Sequence, residues 1–204
     1  MKTIIFIRHG ESTANAGGIT MAQAKIPLSE LGRQQVLALA PLLPAKPSLI
    51  LTSGYLRTQQ TSNPYCERVN MRSTVNPLLN EFSAIDPDLI AGMDGAQRKP
   101  FMEDYWREPS MTKRMGAKAD TFAEFENRVS FFAREMDALP SDTMVFGHGI
   151  WIGLLVWLSL GFTCQSDSDM KAFRRFQLGL PMPNCAAYQF SNNAGQWSPQ
   201  AIHL

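Results

Sequence analysis

Apolar residues fall in short runs divided by polar, Gly- and Pro-marked breaks, and their spacing alternates between two periods. Thr3-Ile4-Ile5-Phe6-Ile7, Ser48-Leu49-Ile50-Leu51-Thr52 and Thr143-Met144-Val145-Phe146 are continuous runs of strand length and read as buried strands. Helical spacing lies between them. Ser29 is a candidate N-cap with Glu30 in the first turn, and Val36, Leu39, Ala40 and Leu43 follow at helical intervals, with Pro44 and Pro47 at the exit. Ser53 is expected to open the next helix, and Pro64 to kink or interrupt it. Thr121 and Glu124 have the spacing of a capping box. Phe122, Phe125, Val129, Phe132 and Met136 then form a core stripe, and Pro140 ends that helix. Ile150 to Leu160 predicts a helix buried on most sides and stopped by Gly161. Ala186 to Phe190 and Trp197 to Ile202 are expected to be closing strands, the second antiparallel at an edge.

Strands alternating with helices predict an α/β sheet with crossover helices. No repeat, low-complexity tract or linker divides the chain, so residues 1–204 read as a single domain. The exception is the stretch at about 83–119. It is rich in Pro, Gly, Met and both signs of charge, including Arg98, Lys99, Arg107, Lys113 and Arg114. It reads either as a solvated excursion with one or two short helices or as a lid that selects a substrate.

Composition narrows the function classes. With 45% hydrophobic and 18% charged residues the chain is globular, and a net charge of +1 gives no support for a nucleic-acid or acidic-membrane partner. Three scattered cysteines, Cys66, Cys164 and Cys185, suit a reducing compartment rather than a disulfide framework. The N-terminal apolar run stops at Arg8, short of the roughly 7–15 residues of a signal core. Ile150 to Leu160 falls short of the roughly 20 residues that span a membrane. A soluble cytoplasmic protein is expected. No spacing suits a metal ligand set, so neither a metal nor another cofactor is expected.

Two of the three histidines follow strand-like runs, each with a glycine behind it: Arg8-His9-Gly10 and Gly147-His148-Gly149. Ligands bind at the carboxyl ends of strands in an open parallel sheet, so the two strands would bring His9 and His148 to one edge. His203 lies one residue from the end and reads as a solvated tail residue. A neutral imidazole is a competent nucleophile, and arginine offers a planar fork of donors to phosphate. His9 is therefore a candidate nucleophile for a phosphoryl group, and His148 a donor to the transferring oxygens. Arg8 and Arg57, both soon after strand ends, are a candidate phosphate clamp. Gly149 permits close backbone approach and is counted with the phosphate-binding positions. A carboxyl is needed to protonate the leaving oxygen. Glu11, Glu81, Asp86 and Asp88 compete for that role on sequence alone.

These segments in order resemble the histidine phosphatase superfamily, also called the phosphoglycerate mutase-like family. Arg8-His9-Gly10-Glu11-Ser12 with Asn15 looks like its opening motif, and Pro27-Leu28-Ser29-Glu30-Leu31-Gly32-Arg33-Gln34-Gln35 is similar to its next segment. Ser53-Gly54-Tyr55-Leu56-Arg57-Thr58-Gln59-Gln60-Thr61, Leu79-Asn80-Glu81-Phe82, Gly147-His148-Gly149 and Pro183-Asn184-Cys185 resemble later ones. The resemblance implies an α/β three-layer sandwich, with a mostly parallel central sheet and helices on both faces. It implies that His9 is the phosphorylated residue, that Arg57 contacts phosphate, and that Glu81 is the acid, with Asp86 its main rival; Asn15 is read as a donor to phosphate or to substrate and is counted with the phosphate-binding positions. The activity implied is hydrolysis of a small phosphomonoester through a phosphohistidine. Phosphoglycerate mutase-type transfer is the alternative, ranked second because resembling mutases carry a longer insertion with more cations after the acidic residue than the moderate, mixed-charge stretch here. A non-catalytic phosphate-binding interaction module is the reading from a different class. The oligomeric state is not indicated.

Overall fold

Strand β1 (Lys2–Arg8) runs through the middle of a six-stranded sheet in the computed structural model, which describes residues 1–204. The remaining strands are β2 (Leu49–Thr52), β3 (Thr74–Val75), β4 (Thr143–Gly147), β5 (Ala187–Asn193) and β6 (Gln196–Ile202). Their order is β3-β2-β4-β1-β5-β6. The first four are mutually parallel, and β5 and β6 add antiparallel at one side. The sheet is therefore mixed α/β and mostly parallel, as expected, with β6 at the predicted edge.

A central parallel strand is covered on both faces, which is why β1 is a continuous apolar run rather than an alternating one. Ile5 and Ile7 face a core shared with Leu39, Ile50, Tyr65 and Phe146, under α1 (Glu30–Leu39) and α2 (Leu56–Val69). Ile4 and Phe6 face a larger core under α4 (Phe122–Glu135), α5 (Gly149–Ser159) and α6 (Asp167–Gly179). Phe6 packs there between Trp151, Phe132 and Phe190, with ring centroids 5.8, 6.1 and 4.9 Å away. Truncating such a ring to alanine costs about 3–5 kcal/mol.

The predicted caps are present. Ser29 accepts from Gly32 N, and Thr121 and Glu124 close a capping box. Gly161, at φ +88°, follows the end of α5.

Two expectations are corrected and a third is refined. Ser53 does not open α2, which begins at Leu56; its hydroxyl is engaged elsewhere. Pro64 does not interrupt α2. Buried Thr61, Ser62 and Tyr65 hold both sides of the proline against the sheet, and Tyr65 Oη donates to Pro44 O at 2.8 Å. The stretch at 83–119 is not merely solvated. It contains α3 (Gly95–Arg107), started by an Asp94–Gln97 capping box. Tyr105 of α3 is fully buried, and Phe82 meets Tyr105 and Trp106 at 5.7 and 6.1 Å. Aromatic burial, hidden among the charges of this segment, fixes it to the main core.

Candidate active site

The register of the sheet brings the two histidines together. Arg8 pairs with Gly147 across β1 and β4, so the next residues, His9 and His148, leave adjacent strand ends. His9 N donates to Gly147 O at 3.0 Å, and the imidazole centroids are 5.2 Å apart. Gly10 turns the chain away, and α1 passes close by. A Cβ on Gly32 would lie 1.9 Å from Glu11 O, so only glycine fits there.

The surroundings of His9 fix its tautomer. Nδ1 lies 2.7 Å from Gly10 O, and a carbonyl can only accept, so Nδ1 carries the proton. Nε2 carries the lone pair, and Arg57 Nε donates to it at 3.2 Å. Burial first, then Arg57 and Arg8, push the imidazole pKa down to about 3. His9 is thus neutral across the ordinary pH range.

Arg57 is buried, lies 4.8 Å over the Tyr55 ring and donates through Nη1 to Gln23 O at 3.0 Å. Its burial lowers the guanidinium to about 10. Arg8 donates through Nη1 to Met182 O, while its buried Nε has no partner. Gly149 begins α5, where backbone N–H groups lack helical partners. A Cβ there would lie 3.3 Å from Arg8 Nε and 3.4 Å from Met182 Cγ. Asn15 Oδ1 accepts from Ser12 N and Oγ and from Asn184 Nδ2, at 3.2, 3.0 and 3.3 Å. Asn15 also lines the cavity described below.

His148 is fully buried and lies behind His9. Its Nε2 meets Ser53 Oγ at 2.8 Å, and its Nδ1 is buried without a partner. Burial, then Arg57 and His9, drive its pKa well below that of free imidazole.

Glu81 is the carboxylate that lines the cavity; Glu11, Asp86 and Asp88 do not. Its Oε1 accepts from Phe82 N and Trp151 N, and its Oε2 from Ile150 N, at 2.9, 3.1 and 3.0 Å. It therefore sits on the N-terminus of α5. Burial pushes the carboxyl above its ordinary range, against these bonds and the two arginines, which favour the anion. Asp86 is instead a turn residue. Its oxygens accept from Asp88 N and Lys118 N, and those bonds hold its carboxyl below the ordinary range. Glu11 accepts from Ser29 Oγ at 2.6 Å, and Asp88 pairs with Lys118 at the surface.

Arg8, His9, Asn15, Arg57, Glu81 and Gly149 all line one cavity of about 340 Å³, within the size range of small-molecule sites. Its outer wall contains Met21, Gln23, Pro87, Arg98, Met102 and Met182. Several site residues carried no sequence signal. Ser53 reads as a helix start, and the roles of Gln23 and Met182 lie in their backbone carbonyls. No helix is long and apolar enough to cross a membrane.

Known proteins show the same arrangement of chain. A mycobacterial glucosyl-3-phosphoglycerate phosphatase, solved with VO3, superposes with a TM-score of 0.74 at 22% identity, covering 100% of this chain and 99% of that one. The alpha-ribazole phosphatase of Shigella flexneri superposes with a TM-score of 0.77 at 20% identity, over 98% and 95% of the two chains. The "Probable phosphoglycerate mutase GpmB" of Yersinia enterocolitica is 24% identical over 182 residues, 84% of this chain and 80% of that protein. The family model for the histidine phosphatase superfamily (branch 1) matches residues 4–203, and the chain belongs to that superfamily.

Proposed function

We propose that the protein is a phosphatase that hydrolyses a small phosphomonoester through a phosphohistidine on His9. The observation that carries the proposal is the forced tautomer of His9. Its lone pair is on Nε2, the atom directed at Arg57 on the cavity wall. Nε2 attacks phosphorus, the bond to the ester oxygen breaks, and Glu81 gives that oxygen its proton. Arg8, Arg57, Asn15 and the Gly149 N–H hold the phosphoryl oxygens, while His148, fully buried behind His9 and bonded to Ser53, supports the nucleophile from outside the cavity wall. Water then attacks phosphorus, the P–N bond breaks, and Glu81 takes a proton from the water. No metal step is invoked, and no group of three or more His, Cys, Asp and Glu side chains is clustered to hold an ion.

Phosphoglycerate mutase-type transfer is the second reading, favoured by the mutase name of the Yersinia relative. Hydrolysis is preferred because Arg98 is the only cation on the cavity wall besides the clamp pair, and its side chain is bonded to neutral acceptors.

Quenched-flow trapping on a panel of sugar phosphates, nucleotides, phosphoglycerates and phosphohistidine tests the assignment. Acid-labile, base-stable label on His9 is expected, with release of inorganic phosphate. Label on a serine or cysteine would refute it. Isomerised phosphoglycerate without phosphate release would favour the mutase.

A further inference from the structure

The lid and the loop after β1 are joined by a compact set of bonds that the chemistry above does not use. Arg98, on α3, donates through Nη1 to Gly18 O, Met93 O and Thr20 Oγ1 at 2.6, 2.9 and 3.0 Å, and through Nη2 to Ala14 O at 3.2 Å. Beside it Gly95 N donates to Gly17 O at 2.8 Å, and Thr20 N and Oγ1 both donate to Met93 O, at 2.8 and 2.9 Å. The two backbones touch: a Cβ on Gly95 would lie 2.8 Å from Gly17 Cα. Arg98 has no carboxylate within ion-pair distance, so its fork is spent on the carbonyls of this one loop and on the lid's own Met93.

The carbonyls that Arg98 gathers flank Asn15 in sequence. Asn15 itself is pinned on its other side by Ser12 and Asn184, and Asn184 also donates to His9 O at 3.1 Å. The lid meanwhile contributes Ile90 and Met102 to the cavity wall, where a leaving group would pack. Displacing the lid therefore pulls on the loop that presents Asn15.

We propose that Arg98 is a positioning residue that latches the lid to the Asn15 loop, so that contact of a leaving group with the lid and placement of the phosphoryl group are one event. Its functional half rests on the phosphate site proposed above; its structural half does not. Lysine is a point donor and cannot span Ala14 O and the cluster of Gly18 O, Thr20 Oγ1 and Met93 O as the planar fork does.

The test uses Arg98→Met, Arg98→Lys and, as an independent way of prising the junction, Gly95→Ala. Amide hydrogen exchange is read without ligand, and vanadate binding by calorimetry. Exchange should accelerate together in residues 13–20 and 93–99 in both Arg98→Met and Gly95→Ala. Vanadate should bind roughly tenfold more weakly, within the usual range of coupling between sites, without rescue by lysine. The kcat/KM loss should be larger for bulky leaving groups than for small ones. Faster exchange confined to the lid, or full rescue by Arg98→Lys, would overturn the latch. Failure of vanadate to bind the wild type would count against the phosphatase assignment alone, because exchange still decides the latch.

Discussion

Arg57 Nε donates to His9 Nε2 at 3.2 Å, so the atom assigned to attack is itself held by the clamp. In the proposed mechanism an arriving phosphoryl group takes over that bond, and the guanidinium turns from guarding the lone pair to binding the phosphoryl oxygens. The same contact helps keep His9 neutral, since Arg57 ranks after burial among the causes that lower its pKa.

Arg57→Ala should therefore change two things. Turnover should fall about 10²–10³-fold, the usual cost of a preorganised donor to developing charge. The His9 pKa should rise from about 3 while staying below that of free histidine, because burial is the larger cause. An NMR titration of the His9 ring checks the second effect without substrate. An unmoved titration alongside near-normal turnover would remove Arg57 from the site.

Glu81→Gln separates acid catalysis from helix capping. The amide can still accept from Phe82 and Trp151, but its NH2 would face the Ile150 N–H now bonded to Oε2. A loss of roughly 1–2 kcal/mol of stability is expected from that mismatch. The chemical effect should depend on the leaving group. An alkyl phosphate should slow by roughly 10²–10⁴-fold in its burst phase, while a nitrophenyl phosphate should be nearly spared. Equal slowing of both bursts would assign Glu81 a structural role only.

Stability should fall as pH drops below neutrality. His9 is lowered to about 3 and His148 well below the usual 6.5, so between those values the unfolded chain binds protons that the folded chain refuses. The His9 contribution is complete above 6.5 and is lost progressively toward pH 3, and that of His148 is lost in the same direction. Glu81, raised by burial, acts in the opposite sense above 4.5. The informative quantity is thus the difference between wild type and His9→Gln in urea unfolding from pH 7 to 5. The variant should show the shallower slope; parallel slopes would mean that His9 titrates normally when folded.

Gly149→Ala should move stability and activity in opposite directions. Alanine favours a helix over glycine by roughly 0.5–1 kcal/mol, so Tm should hold or rise. Its methyl group would crowd Arg8 Nε at 3.3 Å and Met182 Cγ at 3.4 Å. Phosphate and vanadate inhibition should weaken by about 3–10-fold, the effect of losing roughly one hydrogen bond. Unchanged inhibition would show that Arg8 does not need its present place.

What the sequence disclosed follows from periodicity and capping. The runs ending at Arg8 and Gly147 became neighbouring parallel strands, and the Phe122 to Met136 stripe became core. Strand β3, of two exposed residues, has no apolar pattern to read. Helix α6 escaped notice because Asp169, rather than Glu or Gln, completes the box with Ser166. At the site, His9 stood out by residue type and place, whereas Arg57 and Glu81 stood out by the family-like segments around them. Ser53, Gln23 and Arg98 did not, because backbone carbonyls and distant hydroxyls have no signature in sequence. Residue type alone left Glu81 and Asp86 level; the family-like segment favoured Glu81, which is also the carboxylate that reaches the cavity.

Strand β1 has a further consequence during synthesis. It leaves the ribosome before every other strand of the sheet, yet its partners are Thr143–Gly147 on one side and Ala187–Asn192 on the other. At the usual ~5–20 residues per second, Ile4 to Ile7 must wait about 7–28 s for the first of them. Until then the nascent chain displays an unpaired apolar ribbon, and its earliest product is the most exposed to mispairing with other chains. Arg8 and His9, at the end of that ribbon, stay unpaired as long as it does, because their own backbone partners are Gly147 and Ala186.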